Sequence, residues 1–266
     1  MARNLESQER NFQIKLAETP DELIAAQRLR YRVFVRELGA DGPTVDHKAE
    51  IESDSFDPFY DHLLLIDRRR DPATLDHVVG VYRLLRSDVA LAGPGFYSAA
   101  EYDLAPLLDT GRRLLELGRS CVDTQYRGGI AMYLLWNALA EYVLGHGIEV
   151  MFGVASYHGT DPQAIAQSLS LLWHKHLAPP DIRVRVRPEF YQPLDLIPPA
   201  RIDRVQAMAQ TPALIKAYLR LGGFVGDGAF IDHDFNTTDV CLMMDTARMS
   251  ERHRKAYTRR SGAGTT

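Results

Sequence analysis

Residues 114–155 read LLELGRSCVDTQYRGGIAMYLLWNALAEYVLGHGIEVMFGVA. An apolar run to Asp123, bounded by polar and glycine residues, has the length and composition of a strand. Thr124 to Gly129 forms a glycine-containing turn. The strongly apolar stretch that follows is long enough for a helix and stops at Gly145 or Gly147, where a second apolar run, VMFGVAS at 150–156, begins. Strand, glycine turn, helix and strand in that order make a βαβ unit. A strand that delivers such a turn to a helix start exposes unpaired backbone N–H groups at the positive end of the helix dipole, a setting suited to a phosphate. No Gly-Lys-Ser/Thr follows, so this is not a P-loop, and the glycine spacing does not match a dinucleotide fingerprint either.

Working outward toward the N-terminus, Phe12 to Ala17 alternates as a strand does. Thr19-Pro20-Asp21-Glu22 carries a helix start, with Thr19 as the cap and Pro20 at the first helical position. Apolar residues then recur at helical spacing until Gly39. Residues 40–60 are polar and rich in Gly, Pro and Asp, a length of loop that usually has a function. Two strands follow, 62–67 and 77–86, joined through Asp71-Pro72. Toward the C-terminus, Asp161-Pro162 opens a helix to about His176, IRVRVR at 182–187 alternates as a half-exposed strand, and residues 188–200 form a proline-rich loop. PALIKAYLRLGG at 212–223 is an amphipathic helix, and GAFIDHDF with TTDVCLMMD forms a hairpin turning at Asn236-Thr237. These readings give a loose N-terminus over 1–11, one domain over 12–248 with an insertion near 160–210, and a disordered basic tail over 249–266.

The chain has 266 residues, a net charge of −4 and 45% hydrophobic residues, a composition that suits a globular domain and disfavours general nucleic-acid binding. Cys121 and Cys241 both sit in apolar runs, which predicts buried thiols and, with no disulfide framework, a reducing cytoplasm. The N-terminus lacks the apolar core of a signal peptide, and no apolar stretch approaches the ~20 residues of a spanning helix. Membrane contact, if made, is therefore expected to be peripheral, at the inner face. His174 and His176 lie two apart on a helix and do not face one another, so no metal site is expected. Trp136 and Trp173 are expected in the core.

Gln125-Tyr126-Arg127-Gly128-Gly129 resembles the pantetheine-phosphate loop of the GNAT acyltransferases, whose pattern is Gln/Arg-x-x-Gly-x-Gly/Ala; here Ile130 stands at the last position and Ala131 follows. That departure suits a donor carried on acyl carrier protein, which presents a single phosphate. The chain also resembles the GNAT-like autoinducer (acyl-homoserine lactone) synthases, through Arg30 and Phe34 on the first helix, Asp54 and Asp57 in the long loop, Arg83 in GVYRLLR, and Glu116 and Arg119 in ELGRSCVD. Their expected tryptophan is absent, with Ala40 near its place, and their serine is Gly118, departures that point to a different acceptor. The C-terminal LIKAYLRLGGFVGDGAFIDHDFNTTDVCLMM and the helix YRGGIAMYLLWNALAEYV are similar to the ornithine N-acyltransferases of ornithine lipid synthesis.

The resemblance implies an α/β (α+β) GNAT-like fold, a mixed, mostly antiparallel sheet flanked by helices. It implies transfer of a 3-hydroxyacyl group from acyl carrier protein to the α-amine of L-ornithine, with no cofactor beyond the donor's phosphopantetheine. Glu116 is then the general base, directly or through a water, its apolar neighbours Leu115 and Leu117 providing partial burial; its plain structural alternative is an ion pair with an arginine. Asp54 and Asp57 suit the acceptor's ammonium groups or simply solvated loop acids. Arg30, Arg83 and Arg119 suit its carboxylate or an ordering role for the acidic loop, and Phe34 suits packing or substrate contact. Gln125, Arg127, Gly128 and Gly129 would hold the donor's phosphopantetheine, and a backbone N–H at Arg119 or Ser120 would face the oxyanion. On a flat strand Glu116 and Arg119 point to opposite faces; a bulge there would relax that. Acidic acyl carrier protein calls for a basic patch, with Arg112, Arg113, Arg127 and the alternating Arg183, Arg185 and Arg187 as candidates.

Overall fold

The computed structural model describes residues 10–127 and 130–248. Most of the stretch expected to be loose at the N-terminus, the Gly128-Gly129 pair and the basic tail therefore lie outside the described residues. In chain order the strands are β1 (Phe12–Leu16), β2 (Val45–Asp46), β3 (Ile51–Glu52), β4 (Asp61–Asp67), β5 (Val78–Arg86), β6 (Tyr102–Asp103), β7 (Leu114–Val122), β8 (Val150–His158), β9 (Arg185–Val186), β10 (Phe224–Asp232) and β11 (Thr237–Asp245). The helices are α1 (Pro20–Arg30), α2 (Ser87–Ala92), α3 (Ala105–Leu108), α4 (Ile130–Gly145), α5 (Ala166–His176), α6 (Arg204–Gln210) and α7 (Ala213–Arg220).

Among the described residues nine strands form one sheet in the order β1-β4-β5-β7-β8-β11-β10-β9-β6. Only β7·β8 and β10·β9 run parallel. Side chains alternate across it. On one face Leu63, Leu65, Leu115, Met151 and Leu242 meet α4, α5 and α7 through Leu135, Leu139, Leu172 and Ile215. On the other, Leu64, Ile66 and Val81 meet α1, and Leu85, Phe152, Cys241 and Met243 meet the segments 90–107 and 178–186. Trp136 and Trp173 pack against the first of these cores, and both cysteines are buried free thiols.

The first helix starts as the capping signal predicts: Thr19 Oγ1 accepts from Glu22 N at 3.2 Å and Thr19 N donates to Glu22 Oε2 at 3.3 Å. It does not run on as an α-helix to Gly39. From Tyr31 to Glu37 it widens to π geometry, with Leu38 N bonded to Val33 O at 3.2 Å, and chain reversal follows at Gly39 with φ +76°. Arg30, at the junction, is gripped by acids from the following loop, a constraint that helical periodicity does not carry. That loop, read as irregular, holds the small β2–β3 hairpin and a 3-10 turn at Asp57–Phe59. The expected strand 182–187 contracts to Arg185–Val186.

Two departures from a regular sheet create the site. In the β5–β7 ladder Arg83 faces Gly118 but Val81 faces Cys121, so β7 carries one extra residue there. This is the anticipated bulge, and Arg119 sits in it with φ +46°. The parallel β7–β8 ladder pairs Leu114 with Val150, Leu115 with Met151 and Glu116 with Phe152, and then ends. Beyond that point the strands diverge, while β8 stays paired with β11 from Val150 to His158. Gly153 sits at the divergence: a Cβ there would lie 2.2 Å from the Leu117 carbonyl oxygen. Gly153→Ala must therefore push the strands apart. The expected loss of ~1–3 kcal/mol would be read as a lower melting temperature, and an unchanged one would show that the two strands separate freely at this point.

Candidate active site

A cavity of about 260 Å³ opens where β7 and β8 part. It passes through the sheet. On the α4/α7 side its wall is apolar, with Tyr82, Leu117, Met151, Tyr218, Leu242 and Met244; on the other it is polar, with Arg83, Glu101, Glu116, Arg119, Asp232 and Asp239. Arg119 and Ser120 have no ladder partner on either neighbouring strand, so their backbone groups lie along the open part of β7. One face of the cavity suits a hydrocarbon chain and the other a small polar, charged molecule.

Below the polar face lies a buried lattice of guanidinium and carboxylate groups. Arg30 donates to Glu52 Oε2 at 2.5 Å and to Asp57 at 2.6 and 2.9 Å. Arg83 Nη1 donates to both oxygens of Asp54 at 2.7 Å and to Asp57 Oδ1 at 2.8 Å. Arg119 reaches Glu52 Oε1 at 3.2 Å and Asp54 Oδ2 at 3.3 Å. Burial opposes ionisation of Asp57, yet the guanidiniums of Arg30 and Arg83 outweigh it and hold the carboxyl well below the usual range. Three guanidiniums thus stand against three carboxylates. Glu52, fully buried, was missed in the sequence because nothing but its distance in space from Arg30 and Arg119 distinguishes it from other loop acids.

This arrangement revises the expectation for Asp54 and Asp57. Asp57 also accepts from Gln27 Nε2 at 2.9 Å, so its oxygens are occupied, and neither acid lines the cavity. They tie the 40–60 loop to the sheet and aim the arginines. Arg30 is likewise sealed beneath the site. Phe34, Arg83, Glu116, Arg119 and Ser120 do line it, Phe34 meeting Phe235 edge-on at 6.0 Å. Arg83 keeps Nε and Nη2 buried and, among the described residues, without a hydrogen-bond partner, beside Gly118, where an added Cβ would lie 3.7 and 3.8 Å from them. That free edge matches a carboxylate.

Glu116 is 2% exposed, and among the described residues no arginine forms an ion pair with it. Its Oε2 accepts from the Tyr60 hydroxyl at 2.6 Å and Tyr97 N at 2.9 Å; its Oε1 accepts from Ser98 N at 2.8 Å and Ser98 Oγ at 2.5 Å. Every acceptor position of the carboxylate is filled, so direct attack on a substrate proton requires one donor to leave. Tyr60, whose ring also covers the Arg83 guanidinium at 4.4 Å, lines the cavity itself.

Two further acids on the polar wall carry no motif. Burial pushes the Asp239 carboxyl up to about 6, and the nearby Asp232 adds to this. Burial, then the charges of Asp239 and Asp232, raise Glu101 well above the ordinary glutamate value. Both line the cavity, Asp239 from the expected closing strand and Glu101 from the stretch between the expected strands 77–86 and 114–123.

The loop expected at the donor phosphate is partly described. Gln125 is exposed, with its N–H bonded to Asp123 Oδ1 at 3.1 Å. Arg127 is turned away, donating to Val122 O at 2.8 Å and paired with Glu37. Gly128 and Gly129 lie outside the described residues. The basic candidates are also engaged: Arg112 with Asp245, Arg113 with the His146 carbonyl, Arg183 with the Ala178 carbonyl, Arg185 with Asp227 and Arg187 with the Ala99 carbonyl. Among the described residues no helix is long and apolar enough to cross a membrane.

A mixed sheet whose central parallel pair splays over a bulged strand, with a cavity through the gap, defines a GNAT-type N-acyltransferase. The family model described as an acetyltransferase (GNAT) domain matches residues 29–137. Among solved structures, FeeM, an N-acyl amino acid synthase from uncultured soil microbes, aligns over 89% of this chain and 92% of its own at TM-score 0.52 and 12% identity. BjaI, a coenzyme A-dependent acyl-homoserine lactone synthase, aligns over 92% of this chain and 84% of its own at TM-score 0.50 and 17% identity. The L-ornithine N(alpha)-acyltransferase of Rhodobacter capsulatus is 58% identical over 94% of this chain and 96% of its own length. That of Rhizobium meliloti is 42% identical over 93% and 84%. The chain belongs to the L-ornithine N(alpha)-acyltransferase family.

Two stability tests follow from the charges. Asp57→Asn leaves Arg30 and Arg83 short of a counter-charge, with an expected loss of ~3–5 kcal/mol at pH 7. Because the folded carboxyl is held low, the native stabilisation is present above the unfolded value of about 3.9 and fades as pH falls below it. The gap between native and variant in urea unfolding should narrow accordingly, and a gap independent of pH would sink the assignment. Asp239→Asn should act in the opposite sense. Its folded value is raised, so ionised Asp239 destabilises the protein above pH 6 and not below about 4. The variant should gain ~2–3 kcal/mol at pH 8, a gain that vanishes in acid.

Proposed function

We propose that this chain transfers a 3-hydroxyacyl group from acyl carrier protein to the α-amino group of L-ornithine, producing the lyso form of ornithine lipid. The observation that carries the reading is the cavity through the sheet at the β7–β8 divergence, apolar on one face and charged on the other, in a chain closely similar to ornithine acyltransferases over nearly its whole length. The acyl chain lies on the Tyr82–Met244 side. The pantetheine thioester enters between the strands, where the unladdered backbone at Arg119 and Ser120 meets the oxyanion, and Gln125 with the adjoining helix start of α4 faces the phosphate. A donor with one phosphate suits this end, since Arg127 is committed to Glu37. Contact with the membrane face would be transient, for release of an amphiphilic product.

On the polar side the free edge of Arg83, with Arg119 beside it, takes the acceptor carboxylate, and Phe34 closes the wall. The α-amine then attacks the thioester carbon. One N–H proton of the neutral amine passes to the Tyr60 oxygen while the Tyr60 proton moves to Glu116 Oε2; as the C–S bond breaks the relay runs in reverse, Glu116 returning its proton through Tyr60 to the departing sulfur, so that the pantetheine leaves as the thiol and Glu116 is again a carboxylate. Arg30, Asp54 and Asp57 position Arg83 and Arg119.

The test is mass spectrometry of products from purified protein given 3-hydroxypalmitoyl-acyl carrier protein or the matching coenzyme A thioester, with ornithine, lysine and S-adenosylmethionine in competition. N-Acylated ornithine from the carrier-protein donor is the expected product; a homoserine lactone, or product from the coenzyme A thioester alone, would overturn the reading. Glu116→Gln and Tyr60→Phe should each lower kcat by ~100-fold or more, and full activity in Tyr60→Phe would remove it from the proton path.

A further inference from the structure

The lattice beneath the site balances its own charges, which leaves Glu101, Asp232 and Asp239 as surplus acids on the polar wall. Asp239 is 4% exposed and Glu101 7% exposed, and both line the cavity. Among the described residues Asp239 Oδ1 and Glu101 Oε2 have no well-formed hydrogen bond; the Ser156 and Thr237 side chains lie near enough to Asp239 to favour its charged form, but they are neutral and leave its charge without a counter-ion. A buried carboxylate oxygen without a donor is destabilising, and two acids close enough to repel one another compound it. Sites of this kind persist where an external group completes them. The guanidinium that acts on both acids, Arg119, is already bonded to Glu52, Asp54 and the Tyr97 hydroxyl. Asp239 is anchored on β11 opposite Ser156 of β8, on the far side of the divergence from Arg83 and Arg119. The polar half of the cavity therefore presents the paired guanidiniums of Arg83 and Arg119 from β5 and β7, and on the β11 side the unpaired Asp239 carboxyl. No group of three or more His, Cys, Asp or Glu among the described residues is arranged to hold a metal ion, so an organic cation is the fitting partner.

We infer that Glu101 and Asp239, with Asp232 at the rim, bind the side-chain ammonium of the acceptor and make the site selective for a diamino acid. This rests on the amino acid acceptor proposed above and names the residues that distinguish ornithine from its uncharged analogue. With the carboxylate on the arginine side and the distal ammonium on the acid pair, the molecule is stretched across the gap in the sheet. Its α-amine is then the nitrogen left at the thioester. Selectivity between the two amines follows from this placement and not from their intrinsic basicity.

The experiment compares ornithine with norvaline, which has the same carbon chain without the side-chain amine, as acceptors for the native protein, Asp239→Asn and Glu101→Gln, using the 3-hydroxypalmitoyl-acyl carrier protein donor. The native ratio of kcat/KM for ornithine over norvaline should fall at least ~30-fold in each variant, mainly through KM for ornithine. A ratio retained in folded variants overturns the inference. If the native protein acylates neither amino acid, the proposed reaction fails while the site is still decided by calorimetry with ornithine alone: binding weakened at least ~30-fold in Asp239→Asn or Glu101→Gln supports it, and binding that is absent, or equal in all three proteins, overturns it.

Discussion

Three buried guanidiniums held by three buried carboxylates are what the working face of this protein rests on. Arg30 comes from the end of α1, Arg83 from β5, Arg119 from the β7 bulge, and Glu52, Asp54 and Asp57 from one loop. Burying six charges is tolerable because each finds opposite partners at hydrogen-bond distance. The lattice thereby joins three elements that sequence separates by some ninety residues. It also explains why a polar loop of this length is ordered: its acids are the counter-charges of the sheet. Arg83 and Arg119 line the cavity with their charge supported from below, and Arg83 Nε and Nη2 are left without a hydrogen-bond partner among the described residues.

The second constraint is backbone geometry. A parallel pair that stayed laddered beyond Glu116 and Phe152 would leave no space between β7 and β8. The bulge around Arg119 bends β7, β8 follows β11 instead, and Gly153 permits the close crossing at Leu117 that starts the separation. Because the strands part within the sheet and not at its edge, the two faces become connected. Apolar side chains from the helix-covered face meet one end of the opening and charged ones the other. The division between a hydrocarbon half and an ionic half thus follows from strand alternation.

Glu116 shows how a functional motif and a structural one coincide. Its four hydrogen bonds fix Tyr97, Ser98 and Tyr60, and the two tyrosines line the cavity. Removing its charge would affect both the wall and any proton path. This is why the hydroxyl of Tyr60, which touches both carboxylate and cavity, is the informative neighbour.

Local sequence was sufficient for much of the architecture. The Thr19 cap, the apolar runs of β4 and β5, the βαβ pattern across 114–156 and the closing hairpin with Asn236 at positive φ all depend on residues near one another in the chain, where capping, strand composition and turn chemistry act. The motif residues were legible too, as types in an order. Their partners were not. That Asp57 is consumed by Arg30 and Arg83, that Arg127 turns to Glu37, that Glu52 belongs to the lattice, and that Glu101 and Asp239 face one cavity were all decided by tertiary structure. The physical reason is that a charge's role depends on its burial and on which opposite charge lies within a few ångströms, and those distances are set by strand register, a bulge and the divergence of two strands, none of which is written in the spacing of residues along the chain.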